Sequence, residues 1–207
     1  MRALLARDRG DFQRARRCVE EGLALLAGTD EMAMIAQCHH FLGELALIQD
    51  DLTDARANLA RSLQLSQEVG ILRRVAATQR LLGDVARREG KLTEAEGTYR
   101  EALALASRLG DRPELARLLV SQARLETCRE HLPEAARLLR GARSTFQEIG
   151  DARGVAGTSL LLARVCLRQK RWKEALQATL TALKSAQAAH LLHPRRLLGL
   201  RRRWIKL

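Results

Sequence analysis

The chain has 207 residues and very few aromatic side chains, which excludes a large aromatic core and a sheet-rich fold. Hydrophobic residues make up 46% of the sequence, aromatic residues only 3%, and there are three prolines. Leu, Ala and Arg dominate, without the β-branched and aromatic enrichment that is typical of strands. The composition therefore predicts an all-α protein whose close Leu/Ala packing leaves little volume for a buried small-molecule pocket.

The formal charge of +12 is unevenly placed along the chain. Residues 1–110 hold 16 basic and 16 acidic side chains, whereas residues 111–207 hold 20 and 8, and the last 17 residues carry six positive charges and no negative one. A field concentrated at the C-terminal half indicates an acidic partner or an anionic surface.

The cysteine pattern and the N-terminus predict a soluble, cytoplasmic protein. The four cysteines form no CxxC pair and lack the density of a disulfide-stapled domain. The sequence contains neither an apolar stretch of signal-peptide length nor a run of about 18 apolar residues that could span a membrane.

A period of 40 residues organises the chain from its first repeat onward. The segment Leu52-Thr53-Asp54-Ala55 recurs as Leu92-Thr93-Glu94-Ala95, as Leu132-Pro133-Glu134-Ala135 and as Trp172-Lys173-Glu174-Ala175. We divide residues 1–190 into repeats 1–30, 31–70, 71–110, 111–150 and 151–190, followed by a tail at 191–207. The first repeat contains only part of its first helix, from which we expect either a fragment of a larger protein, which we favour, or a misplaced start of the sequence.

The third repeat shows the local pattern, with two amphipathic stretches over 71–89 and 92–109. Gly110 stands where a left-handed residue would end the second helix. Asp111 then offers an N-cap, Pro113 a first-turn proline and Glu114 a capping-box acid for the next repeat.

These positions resemble the tetratricopeptide repeat, a helix-turn-helix unit with one small residue late in helix A and three characteristic positions along helix B. In the third repeat the matching residues are Gly83, Ala95, Tyr99 and Ala102, at the family's spacings of 12, 4 and 3. The resemblance covers residues 1–190 and implies a right-handed α-solenoid of stacked antiparallel helix pairs. The 40-residue period is similar to the arrays of large bacterial transcriptional activators, which implies a sensor or interaction role. A set of unrelated helical hairpins is the alternative.

Glycine inside a helix lowers helix stability by roughly 1 kcal/mol relative to alanine. Gly43 and Gly83 therefore indicate positions where packing requires a very small side chain. We expect both to allow close crossing of helices A and B. Because alanine occupies the same register at positions 3, 123 and 163, we expect Gly83→Ala to be tolerated and Gly83→Leu to overpack the crossing by about 1 to 3 kcal/mol.

The resemblance further implies that helix A lines a concave ligand groove. Among the groove positions, the candidate ligand contacts are Gln37, His40, Glu44, Arg80, Asp84, Arg87, Arg117, Arg124 and Arg164. Five arginines in this set predict a basic groove for an acidic protein or peptide, although it has no Asn such as carboxylate-clamp members use. Alternatively, the arginines only solvate a helix face and pair with Glu44 and Asp84.

The tail departs from the repeat and carries Arg195, Arg196, Arg201, Arg202, Arg203 and Lys206. Its helical stripe would be Leu197, Leu200, Trp204 and Leu207. Three interpretations stay open: a helix that caps the last repeat, a segment that contacts a partner, an anionic membrane or nucleic acid, or a sequence remnant unrelated to the repeat.

No catalytic pattern accompanies the repeat. The sequence lacks glycine-rich phosphate-binding loops, and His39 and His40 point about 100° apart on one helix. His190 and His193 have a metal-ligand spacing without nearby carboxylates or cysteines. We predict a non-enzymatic binding scaffold without a metal or cofactor; a nucleic-acid-associated array is the runner-up, and a purely structural assembly module is the third interpretation.

Overall fold

The computed structural model describes residues 2–189, which form ten helices and no strand. The helices are α1 (Arg2–Asp8), α2 (Phe12–Leu25), α3 (Met32–Gln49), α4 (Leu52–Glu68), α5 (Leu72–Arg88), α6 (Leu92–Arg108), α7 (Arg112–Cys128), α8 (Leu132–Glu148), α9 (Ala152–Arg168) and α10 (Trp172–Ala188). The all-α prediction is confirmed. The predicted basic tail lies outside the described residues.

The chain divides into two compact units, Met1–Glu114 (unit 1) and Leu115–Leu207 (unit 2). Within unit 1, α3 packs on α4 and α5 packs on α6 as antiparallel pairs joined by short turns. Within unit 2, α9 packs on both α8 and α10. Consecutive helix pairing is thus the architecture of each unit.

The helices repeat with the 40-residue period that the sequence indicates. The first helices of three successive repeats, α5, α7 and α9, begin at residues 72, 112 and 152, and each has 17 residues. The second helices, α4, α6, α8 and α10, begin at 52, 92, 132 and 172 and also have 17 residues. From α4 onward, equivalent positions can therefore be compared by adding or subtracting 40.

The turns between these helices have three residues with a left-handed residue in the middle. After α5, Gly90 has φ +80°, its amide donates to the Arg87 carbonyl at 3.1 Å, and the Lys91 amide donates to Ala86 at 2.9 Å. These two bonds close the helix as a Schellman motif. Gly110 has φ +60° and ends α6 in the same way, as expected.

Aspartates cap several helices, including α7. The Asp111 carboxylate accepts from the Glu114 amide at 3.1 Å, which confirms the predicted N-cap. The predicted capping box is wrong, because the Asp111 amide donates to the Ala106 carbonyl at 3.0 Å and the Glu114 carboxylate instead accepts a hydrogen bond from Arg80.

Small residues set the distance between the two helices of a pair, as the repeat predicts. A Cβ atom on Gly43 would lie 2.5 Å from Leu59 Cγ, and one on Gly83 would overlap the ring of Tyr99. Tyr99 is fully buried, and its hydroxyl donates a hydrogen bond to Asp84, so the ring cannot swing away freely. The expectation that Gly83→Ala is tolerated is therefore wrong: alanine at position 123 packs near leucine, not tyrosine, at the matching position 139.

We expect Gly83→Ala to lower the free energy of unfolding by about 1 to 3 kcal/mol, because the methyl group displaces the Tyr99 ring. Gly97 is the matched control, since a Cβ at this helical position would meet nothing within 4 Å. Gly97→Ala should raise the free energy of unfolding by about 0.5 to 1 kcal/mol. Urea denaturation of both variants measures the difference, and equal effects of the two substitutions would contradict the close crossing.

Candidate functional site

Six of the predicted groove residues lie on α3 and α5 of unit 1, and most of them are engaged with other side chains. His40 Nδ1 lies 2.9 Å from the Thr78 hydroxyl, and its Nε2 lies 3.9 Å from the Glu44 carboxylate. Arg7 of α1 donates to Glu44 at 3.2 Å. Gln37, one turn before His40, is exposed.

Five side chains of unit 1 form what we call the buried charge cluster: Arg80, Asp84, Arg87, Tyr99 and Glu114. Arg80 Nε donates to Glu114 Oε1 at 2.5 Å, and its Nη1 lies 3.7 Å from Asp84. Tyr99 donates to Asp84 Oδ1 at 2.8 Å, and Arg87 Nε lies 3.7 Å from the same oxygen. Arg80, Asp84 and Glu114 are only 9%, 5% and 3% exposed, so these charges compensate one another inside the protein.

The environment inside this cluster shifts the pKa values of Arg80 and Tyr99 upwards. Burial alone would lower the pKa of Arg80, but the carboxylates of Glu114 and Asp84 outweigh it and raise the pKa. Burial, followed by the charge of Asp84, raises the pKa of Tyr99. Arg80 therefore stays charged and Tyr99 stays a hydrogen-bond donor.

His40 lies beside the cluster and is held neutral. Burial, together with the positive charges of Arg74 and Arg80, lowers its pKa to about 4, against the smaller opposing effect of Glu114. Arg74 donates to the Gln37 side chain at 3.3 Å. Within residues 2–189 no carboxylate lies within ion-pairing distance of Arg74, and burial lowers its pKa.

The remaining three predicted groove residues lie in unit 2 and are more open. Arg117 and Arg164 are exposed and Arg124 is half-buried. On α9, Leu160 and Leu167 flank Arg164 at helical spacing and are 51% and 46% exposed. We call Leu160, Arg164 and Leu167 the α9 face.

Several other expectations concern sites for metals, membranes or redox chemistry. Across the described part of the chain, no group of three or more His, Cys, Asp or Glu side chains could hold a metal ion, and no helix is long and apolar enough to cross a membrane. The four cysteines are free thiols. His190, His193 and the arginines at 195, 196, 201, 202 and 203 lie outside the described residues.

Sequence reasoning missed the contribution of Glu114, Thr78, Arg74 and Arg7. Part of the available signal was a second spacing: several side chains that meet across neighbouring repeats are separated by 37 or 38 residues, whereas Arg80 and Glu114 are separated by 34. Examples are Arg7 with Glu44, Arg16 with Asp54, His40 with Thr78, Arg56 with Glu94 and Glu130 with Arg168.

The pKa of His40 predicts a pH dependence of stability. Because the folded-state pKa of about 4 lies below the ordinary histidine value of 6.5, the unfolded chain binds the proton more readily. The associated stability is present above pH 6.5 and is lost as the pH falls towards 4, by up to about 3 kcal/mol. Urea denaturation across this range should show a flatter dependence for His40→Gln than for His39→Gln, and identical curves would contradict the assignment.

Loss of one partner in the buried charge cluster should be costly. We expect Arg80→Met to lower the free energy of unfolding by about 3 to 5 kcal/mol, because Glu114 and Asp84 lose their buried cation. Arg73→Met, on the 71% exposed arginine near Asp111, should cost about 0 to 1 kcal/mol.

A double-mutant cycle completes this test. The variant Arg80→Met/Glu114→Met should be more stable than the sum of the two single effects predicts, since it removes both members of the ion pair. Additive effects in chemical denaturation, or a cost for Arg80→Met no greater than that for Arg73→Met, would show that the cluster carries little coupling energy.

Comparison with solved structures places the fold among helical-repeat proteins. A Rap protein complexed with Competence and Sporulation Factor superposes with a TM-score of 0.83 at 15% identity, covering 90% of this chain and 52% of that chain. The Rap conjugation gene regulator of the plasmid pLS20, in complex with the Phr* peptide, gives 0.83 at 16% identity over 91% and 52%. This chain thus spans about half the length of these Rap proteins.

A third similar structure is a signal transduction ATPase with numerous domains from Pyrococcus horikoshii, which contains a tetratricopeptide repeat sensor. Its TM-score is 0.67 at 14% identity, over 89% of this chain and 29% of that chain. No curated protein sequence matches the chain significantly. The family model of the MalT-like TPR region matches residues 1–199. With its 40-residue helix pairs and small crossing residues, the chain belongs to the family of MalT-like TPR regions.

Proposed function

We propose that the chain is a non-enzymatic module that binds an acidic protein or peptide, and that it serves as the interaction or sensor part of a bacterial regulatory protein. The support is a helical-repeat family together with an exposed surface of mixed chemistry. Two Rap structures of the same fold are complexes, one with Competence and Sporulation Factor and one with the Phr* peptide. The regulatory context draws on the sensor repeat of the Pyrococcus protein.

The α9 face is the observation that carries the proposal. Arg164 is exposed between two leucines that are about half exposed, and within residues 2–189 it has no ion-pair partner. The equivalent positions on α7, also in unit 2, are Val120, Arg124 and Thr127. Both helices therefore carry apolar side chains and an arginine at equivalent positions of the repeat.

The combination matters because charge alone would bind weakly. Exposed ion pairs contribute about 0.2 to 1 kcal/mol each, so a few of them support only roughly millimolar affinity. Burial of a leucine side chain adds about 1.5 to 3 kcal/mol when it is complete. Leu160 and Leu167 can supply this apolar term, while Arg164 favours partners with a carboxylate.

A nucleic-acid partner is the second candidate, and the excess of basic residues from 111 onward favours it. Base stacking requires exposed aromatic rings. Phe146 is buried in unit 2, which leaves Trp172 of α10 as the one exposed aromatic ring among the described residues from 111 onward. A nucleic acid would therefore bind mainly through phosphate contacts, with strong dependence on salt.

A selection from a random peptide library on the full chain tests the first candidate. We expect enrichment of peptides with acidic and apolar residues, and an affinity about tenfold lower for Arg164→Glu when one enriched peptide is measured by fluorescence anisotropy. Lys173→Glu is the matched control, because it makes the same charge change at an exposed position of α10 and should leave the affinity unchanged.

Fluorescence anisotropy also tests the nucleic-acid candidate. Tight binding of a labelled 20-base-pair duplex, with an affinity that falls steeply as the salt concentration rises, would favour the second candidate. In that case Arg164→Glu and Lys173→Glu should lower the affinity for the duplex equally. Failure to enrich any peptide, or equal effects of the two substitutions on the enriched peptide, would overturn the α9 face as the binding surface.

A further inference from the structure

Arg74 of α5 is half-buried and meets an amide where other arginines meet a carboxylate. Five arginines contact a carboxylate 37 or 38 residues away in a neighbouring repeat: Arg7 with Glu44, Arg16 with Asp54, Arg56 with Glu94, Arg88 with Asp50 and Arg168 with Glu130. Arg74 is also 37 residues from its partner, Gln37, whose side-chain oxygen accepts its hydrogen bond at 3.3 Å. Within residues 2–189 the charge of Arg74 is therefore left without a counter-ion.

The guanidinium of Arg74 also has an unused hydrogen-bond donor. Its Nε is buried and has no acceptor in the described part of the chain. Buried donors in proteins are nearly always paired, because an unpaired donor loses its bonds to water without replacement. Burial lowers the pKa of Arg74, whereas the carboxylates around Arg80 raise the pKa of that arginine. A buried donor on an unmatched cation indicates a site that an external anion completes.

The surroundings of Arg74 favour an anion that carries one charge. His40 is held neutral, and the charge of Arg80 is balanced inside the buried charge cluster. Arg73, the neighbour of Arg74 in sequence, lies 3.8 Å from Asp111. One unmatched positive charge is thus available from Arg74. A carboxylate balances this charge and accepts two parallel hydrogen bonds from a guanidinium, whereas a phosphate dianion would need a second cation.

Apolar side chains lie about one helical turn from Gln37 and Arg74. Met34 precedes Gln37 by three residues and is 47% exposed, and Ile71, the N-cap residue of α5, precedes Arg74 by three and is half-buried. Residues three apart are neighbours on a helix surface. Because one turn advances about 5.4 Å, an apolar group of a few carbon atoms can cover these side chains while its carboxylate reaches Arg74.

We propose that Gln37 and Arg74 form a site for a small monocarboxylic acid with an aliphatic body. Arg74 Nε donates to one carboxylate oxygen and a second guanidinium N–H donates to the other, while Gln37 holds the guanidinium in place. Met34 and Ile71 contact the aliphatic body. The site belongs to unit 1 alone and the α9 face to unit 2, so this inference does not depend on the function proposed above.

Titration of hexanoate into the full chain tests the site by proton–nitrogen NMR. The Nε–Hε signal of Arg74, assigned by its loss in Arg74→Gln, should shift downfield and saturate with a Kd of about 1 mM, because the donor gains an anionic acceptor. Followed by the backbone amide signals of α3 and α5, Arg74→Gln should lower the affinity by about tenfold or more. Arg73→Gln is the matched control, because it removes the same charge at the adjacent, 71% exposed position and should leave the affinity unchanged.

Gln37→Glu supplies the missing carboxylate from the chain itself, at the position that already contacts Arg74. We expect this variant to unfold at a higher urea concentration and to bind hexanoate about tenfold more weakly, since its own carboxylate occupies the guanidinium. Gln67→Glu is the control, because it adds the same charge at an exposed position of α4 and should not lower the affinity.

Four results would overturn the proposal. The first is a shift of the Arg74 signal that does not saturate, and the second is an equal effect of Arg74→Gln and Arg73→Gln on affinity. The third is an unchanged affinity for hexanoate in Gln37→Glu. The fourth is binding of neutral hexanamide or of inorganic phosphate that equals or exceeds binding of hexanoate, since hexanamide lacks the charge and phosphate lacks the apolar body.

Discussion

The close crossing of two helices over a small residue is the constraint on which the rest of the repeat depends. Gly43 lies against Leu59, and Gly83 lies against Tyr99. A small side chain on one helix needs a large one opposite, so the pair is packed without a cavity. In the third repeat the large residue also has a polar end, and its hydrogen bond to Asp84 holds the carboxylate that Arg80 approaches. Backbone packing thus determines where the charges lie.

Much of the fold could be predicted because its determinants are local and repeated. Periodicity, left-handed glycines such as Gly110 and caps such as Asp111 act within a few residues, and five repeats show the same pattern in one register. The error at Gly83 has a local origin too. Tolerance of alanine depends on the partner across the crossing, and Tyr99 is larger and less able to move than Leu139.

The charged residues were harder to predict, because their burial depends on a neighbouring repeat. From the sequence of α5 alone, Arg80 is expected on the surface. It is buried because Glu114, 34 residues later, accepts its hydrogen bond. Side chains that meet across repeats lie closer in sequence than the repeat length, by two or three residues in pairs such as His40 with Thr78 and by six in Arg80 with Glu114. A comparison of residues exactly 40 apart therefore identifies equivalent positions but not these contacts. The α9 face needed no such information, since Leu160, Arg164 and Leu167 share one helix.

The three-residue turns have a consequence for how such a chain can change in length. Each residue added to a helical segment rotates the succeeding residues by about 100° and advances them by about 1.5 Å. A single insertion inside α5 or α6 would turn the rest of that helix away from its neighbour, and the short turns that follow leave little chain to compensate. Insertions and deletions within the helices should therefore be tolerated best as whole 40-residue blocks, so we expect relatives to change in length mainly by gain and loss of complete repeats.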